Sequence, residues 1–223
     1  MRVHWLGAIV LAGTASVAFA QPAPVQAPDA AQVYEVDAEA SEVYWRVYRG
    51  PGALSQRFGH NHVVSVGAIA GQVLLSPELE QSRFELEIPV AALVVDDPEL
   101  RAREGEEFAS TPSDDDIAGT RRNMLSDDVL DAASHPLVRV SGVGPTVEGG
   151  EQRLEVTFEL LGRLIPFTVP TSIEIDGDTL EAEGAFRLTH EELGMRPFSV
   201  MMGALTVGEP LDFVYRVVAR RVE

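Results

Sequence analysis

Leu154-Glu155-Val156-Thr157-Phe158-Glu159-Leu160 alternates apolar and polar side chains without a break. Successive side chains on a β-strand point to opposite faces, so Leu154, Val156, Phe158 and Leu160 share one face. Glu155, Thr157 and Glu159 share the other. The stretch predicts a strand with one dry face and one wet face. The same period recurs in both directions along the chain. Upstream, Val43, Trp45 and Val47 alternate with Tyr44, Arg46 and Tyr48, and Phe84, Leu86 and Ile88 alternate with Glu85 and Glu87. Downstream, Ile173 and Ile175 alternate with Glu174 and Asp176, and Leu211, Phe213, Tyr215 and Val217 with Asp212, Val214 and Arg216. Glu148-Gly149-Gly150-Glu151 and Asp176-Gly177-Asp178 have the composition of hairpin loops. The pattern predicts an all-β, antiparallel barrel or sandwich. A barrel of about eight strands is wide enough to hold a small ligand. Alternation alone does not separate a filled interior from a hollow one.

Asp96–Ser134 breaks the period. It is acidic, and it predicts two short helices, over Pro98–Phe108 and over Asp127–Ala133, the second with Ser126 as N-cap. Ser113-Asp114-Asp115-Asp116 between them reads as a solvated loop. It lacks the alternating acids, central Gly and closing Glu of a calcium loop.

Residues 1–20 read as a secretory signal. Arg2 precedes an apolar run from Leu6 to Leu11, and Ala18-Phe19-Ala20 forms a cleavage pattern. The run is too short for a membrane span. Residues 21–32, with Pro22, Pro24 and Pro28, read as an extended linker. Residues 33–223 then form one domain, and a periplasmic or secreted location follows. The 223 residues carry 35 acidic and 17 basic side chains, a net charge of −18, and every basic one is Arg. That excess argues against nucleic acid and against anionic membrane surfaces as partners, since both need basic patches. With no cysteine, thiolate metal sites and cysteine nucleophiles are excluded, and the core alone must hold an exported domain.

Two stretches carry chemistry. In Arg57-Phe58-Gly59-His60-Asn61-His62, strand geometry puts His60 and His62 on one side. They could be two nitrogen ligands of a zinc or copper site, or the polar rim of a cavity. A metal site would need further ligands, for which His135, His190, Asp37, Asp96 and Asp97 are the candidates. Gly194-Met195-Arg196-Pro197-Phe198 and Met201-Met202-Gly203-Ala204-Leu205 suggest an adaptable apolar wall, including Phe198. No Gly-x-Ser-x-Gly elbow, phosphate loop or dinucleotide fingerprint occurs. The acidic pairs Glu106-Glu107 and Glu191-Glu192 are adjacent, which on a strand makes them poor acid/base partners. The chain reads as a binding protein, not an enzyme.

A series of short motifs resembles the YceI-like family of secreted lipocalin-like proteins. In order they are Tyr34-Glu35-Val36-Asp37, the strand Ser41–Tyr48, Phe58-Gly59-His60-Asn61-His62 and Gly71-Gln72-Val73. Asp127-Asp128-Val129-Leu130-Asp131 with His135-Pro136 follows, then Leu160-Leu161-Gly162 with Pro166-Phe167-Thr168-Val169. Phe186-Arg187-Leu188 and Leu193-Gly194-Met195-Arg196-Pro197 complete the series. The resemblance runs from about Val33 to Val222. It departs from the family in the long acidic insertion and in Leu164-Ile165, where small or polar residues are usual.

The resemblance implies an extended eight-stranded antiparallel β-barrel with a short helical insertion. It also implies a polyisoprenoid, of the isoprenoid-quinone type, in an apolar lumen, with no other cofactor required. Val43, Trp45, Val47, Phe58, Phe84, Leu86, Phe158, Phe186, Phe198, Phe213 and Tyr215 are then the lumen candidates. His60, Asn61 and His62 are the candidates for a head group or a metal. The alternative is a His-based metal- or haem-binding protein on the same barrel. A third reading has the acidic insertion contacting a cationic partner. Transient membrane contact is expected of a lipid carrier.

Overall fold

The computed structural model describes residues 31–200 and 202–222. The expected signal and residues 21–30 of the expected linker lie outside them. Gln32, placed at the linker's end, already belongs to the first strand, β1 (Gln32–Val36).

The predicted runs form strands. They are β2 (Glu42–Val47), β3 (His62–Val66), β4 (Ala70–Leu75), β5 (Arg83–Pro89), β6 (Leu93–Val95), β7 (Leu137–Glu148), β8 (Glu151–Leu160), β9 (Arg163–Asp176), β10 (Thr179–Leu188), the short pair β11 (Ser199–Val200) and β12 (Leu205–Thr206), and β13 (Leu211–Arg221). All pairings are antiparallel. The order β1-β4-β5-β7-β8-β9-β10-β13 closes on itself through β13 and β1. β13 pairs with β1 at Ala219–Arg221 and with β2 at Asp212–Arg216, so β1 and β2 lie end to end as one interrupted strand. β4 and β3 pair with them in the same way, and β5 and β6 with those. The result is an eight-stranded barrel in which three neighbouring strands are each broken once. At the first break Asp37 accepts the amide of Ala40, and Ser41 Oγ donates to the Asp37 carbonyl at 2.7 Å.

The β7–β8, β8–β9 and β9–β10 connections are two-residue hairpins. Gly149, Gly150, Leu161, Gly162 and Gly177 supply the positive φ such turns need. These hairpins fix the register, so the apolar set of each strand faces inward. Exposed Glu85, Glu87 and Arg139 and half-buried Glu159 point outward. A barrel dry inside and wet outside is the inverse of a membrane-spanning one. Among the described residues no helix is long and apolar enough to cross a membrane.

The acidic insertion differs from its expected form. Its helices are α2 (Pro98–Ala102), a 3-10 turn at Glu106–Phe108, and α3 (Asp114–Leu125). Asp127–Ala133 is a series of turns, and Ser126 is the C-cap of α3, not an N-cap. The Asp run read as a loop is the first turn of α3. Ser113 accepts the amide of Asp116, and the Asp116 carboxylate accepts the amide and hydroxyl of Ser113. This capping box, with three acids at the positive helix end, turns a charge run into a helix start. Part of the insertion is buried. Leu100 and Phe108 pack on Tyr44 and Val63, covering the outer face of β2 and β3.

Candidate functional site

The barrel encloses a cavity of about 630 Å3, within the range of small-molecule sites. Every apolar lumen candidate named from the sequence lies on its wall. Many of these side chains are only half-buried despite being enclosed, because they face a hollow and not a partner. An aromatic belt crosses five adjacent strands. Phe158 of β8 meets Phe167 of β9 at 4.6 Å between ring centroids. Phe167 meets Phe186 of β10 at 5.6 Å. Phe186 stacks on Phe213 of β13 at 5.0 Å, and Phe213 on Trp45 of β2 at 5.8 Å. Phe167 was not among the expected positions, although Ile165, Phe167 and Val169 alternate as cleanly as the others. Tyr215, the one lumen candidate with a hydroxyl, donates it to the Pro170 carbonyl at 3.0 Å, and burial pushes its pKa up. The wall it joins therefore offers an apolar ligand rings and methyl groups, with no charge midway.

The two ends of the cavity differ. One is stoppered by Leu79, Ser82, Gly144 and Pro145. The other is ringed by polar groups. His60 and His62 line it, with ring centroids 6.2 Å apart, together with Asp115, Asp116, Thr120 and Asn123 of α3. Asn61 does not join them. As strand parity requires, it faces the other way; its Oδ1 accepts the Arg49 amide and its Nδ2 donates to the Glu107 carbonyl, both at 3.0 Å. Asn61 is therefore a brace between β2–β3 and the insertion.

His62 is held from behind. Its Nδ1 lies 2.6 Å from Asp96 Oδ2. Asp96 Oδ1 accepts the Val63 amide at 3.0 Å and Arg101 Nη1 at 2.6 Å. Arg101 also donates to the carbonyls of Asn61 and Ser110. Both Asp96 and Arg101 are buried. Burial pushes the Asp96 carboxyl up, but the His62 hydrogen bond and charge, the Val63 amide and Arg101 outweigh it, and its pKa lies below the ordinary value. An anionic Asp96 fixes the tautomer: in the neutral imidazole, Nδ1–H donates to Asp96 and Nε2 is left as an acceptor. That nitrogen lies 3.5 Å from Thr120 Oγ1. Nearby, burial and a 2.9 Å hydrogen bond to Asp212 push the Tyr48 hydroxyl up to about 12, so it stays a donor.

The other metal-ligand candidates do not converge. His190 is buried with its Nδ1 2.8 Å from Glu209, Asp37 pairs with Arg220, and Asp97 caps α2. His135 lies against Gly162. Among the described residues no group of three His, Cys, Asp or Glu side chains is placed to hold a metal ion. Sequence reasoning did not foresee the roles of Asp96, Arg101 and Thr120. Asp96 sits at positive φ, 56°, which no local pattern signals.

Searches of protein-family models and of curated protein sequences found no match to this chain. Solved structures do match its fold. Burkholderia cenocepacia BcnA superposes with a TM-score of 0.59 at 14% identity, over 82% of this chain and 98% of that one. A polyisoprenoid binding domain from Saccharophagus degradans, implicated in plant cell wall breakdown, gives 0.56 at 10% identity, over 86% and 99%. A Campylobacter jejuni YceI protein gives 0.47 at 7% identity, over 72% and 84%. Closed by eight antiparallel strands around an apolar hollow, the chain shares the fold of the BcnA and polyisoprenoid-binding-domain structures.

Proposed function

We propose that the chain is an exported, non-enzymatic member of the YceI-like family that carries an amphiphilic isoprenoid. The apolar tail would lie in the lumen, and the head group at the end ringed by His60 and His62. The observation that carries this reading is the hollow itself, apolar along its length and polar at one end. Taking about 30 Å3 per methylene-sized group, as for a water, the cavity accepts roughly twenty of them. At about 0.8 kcal/mol per buried methylene, an isoprenoid tail needs no charged partner. The Saccharophagus degradans neighbour is a polyisoprenoid binding domain, which supports the ligand class. In its neutral form His62 leaves Nε2 as an acceptor, which suits a head group that donates a hydrogen bond, such as an alcohol or a quinol. The signal read in residues 1–20 supports export.

Native mass spectrometry of the protein from Gln21 onward, with an organic extract and a metal scan of the same sample, tests it. A prenyl compound near one per chain, lost in folded Trp45→Glu, is the expected result. A protein that is empty and refuses added prenyl alcohol would overturn it. Bound zinc or copper that disappears in His60→Ala and His62→Ala would instead favour the metal-binding alternative.

A further inference from the structure

The acidic excess of the protein is missing from one side of the barrel mouth, opposite the start of α3. No Asp or Glu occurs between Glu42 and Glu78, nor between Glu192 and Glu209, in a chain with 35 of them. The fold brings these two segments together. The first contains α1 (Ala53–Phe58) and the second the β11–β12 hairpin. Ser55, fully buried at the start of α1, accepts the Thr206 amide at 2.9 Å, and the Gly50 amide donates to the Thr206 carbonyl at 2.7 Å. Arg49 bridges to Val207. Helix and hairpin are thus one unit beside the opening.

That unit exposes apolar side chains. Phe58 is 59% exposed, Met202 at the hairpin tip is fully exposed, and Leu54 and Val200 are more than a third exposed. Phe58 and Val200 also line the cavity, so the apolar surface runs unbroken from lumen to solvent. Cations frame it. Arg57 lies 5.1 Å over the Phe58 ring, and Arg49 and Arg196 are exposed nearby.

We infer that α1 and the β11–β12 hairpin form a docking surface for an anionic bilayer. Exposed aromatic and aliphatic groups partition into the interfacial layer, and Arg side chains pair with anionic head groups. The net charge of −18 repels such a surface as a whole, so only an approach by this rim is favourable. The acidic start of α3 borders the same opening beside His60 and His62, so the lipid contact is confined to the α1 and hairpin side of the rim. Docking in this pose gives a lipid a continuous apolar path between bilayer and lumen.

The chain has no cysteine, so a single one can carry an environment-sensitive fluorophore. Met202→Cys reports the rim. Val147→Cys, 68% exposed beside the hairpin at the opposite end, is the control. Vesicles of phosphatidylcholine with phosphatidylglycerol should blue-shift the label at 202 and leave it unchanged at 147. Added salt should weaken the response, and Leu54→Glu or Arg57→Glu should reduce it at least several-fold while the far-ultraviolet spectrum stays native. An equal response to pure phosphatidylcholine would overturn the anionic assignment. No response, or an equal one at 147, would overturn the docking surface and leave the rim to a protein partner. The readout needs no bound ligand, so its failure leaves the carrier reading standing.

Discussion

The two ends of the barrel are built by different physics. The stoppered end consists of two-residue turns and close backbone fit. Gly149, Gly150 and Gly177 sit at positive φ with nothing within 4 Å of a built Cβ, whereas Gly144 lies directly against the Leu79 carbonyl. The Gly144 amide donates to the Ser82 carbonyl at 2.7 Å. The open end, apart from the Leu161-Gly162 turn, consists of long connections held by a buried ion cluster and helix caps. Turn chemistry acts between neighbours in sequence and leaves little slack. A charge cluster joins remote segments and leaves room between them. The end proposed to pass a ligand is the one assembled in the second way.

Breaking the cluster should have the largest effect. Asp96→Ala removes the carboxylate shared by His62, Arg101 and the Val63 amide, and strands a buried guanidinium. Losing one partner of a buried pair costs about 3–5 kcal/mol. Urea denaturation should show a loss of that size, and His62 should lose its fixed orientation. Acid probes the same group more gently. Its folded pKa is depressed, so its stabilisation is complete above the unfolded carboxylate value of about 3.9 and is lost as pH falls through the lower folded value. The stability of the native protein should therefore drop below about pH 4 more steeply than that of Asp96→Asn, measured by urea titration across that range. Parallel curves would remove Asp96 from the centre of the open end.

At the stoppered end the corresponding change is steric. A Cβ on Gly144 would lie 1.7 Å from the Leu79 carbonyl oxygen, so Gly144→Ala must displace the stopper. Overpacking of this kind costs about 1–3 kcal/mol, again readable by urea. The comparison adds a second readout. Gly144→Ala should loosen that end without changing the pH profile, whereas Asp96→Asn should do the reverse.

The contrast also decides what could be read from sequence. The strands, the hairpins at Gly149-Gly150 and Gly177, and the lumen-facing side chains followed from alternation and turn residues, because each is a local rule. Phe167 obeyed the same rule and was passed over. The open end was only partly legible. His60 and His62 were found as a same-side pair, but Asn61 was grouped with them although its parity points it away. Asp96 and Arg101 sit amid other acids and arginines, and nothing local distinguishes the buried ones. Their role exists only once β3 and the insertion are folded together. The α3 helix was missed for a different reason. Ser113-Asp114-Asp115-Asp116 is a capping box, yet its three charges read as solvation when the reciprocal spacing is not weighed.

That cap is the subtlest place to test the comparison. None of the residues of α3 is fully buried; Ile117, Met124 and Leu125 pack only partly on the core, and Gly119 sits mid-helix, where it weakens the element. A helix of twelve residues is marginal on its own, so its N-terminal cap is a large share of what keeps it formed. Ser113→Ala should cost about 1 kcal/mol. Because α3 is exposed at the rim, the loss should appear as local opening and not as global unfolding. Amide exchange within α3 should quicken roughly fivefold, the equivalent of that energy, while exchange in β8 and β9 stays unchanged. If α3 covers the mouth as its wall residues Thr120 and Met124 indicate, release of a bound prenyl compound should quicken by a similar factor. Faster exchange with unchanged release would mean that the ligand leaves past the α1 and hairpin side alone, and would narrow the working mouth to that half of the rim.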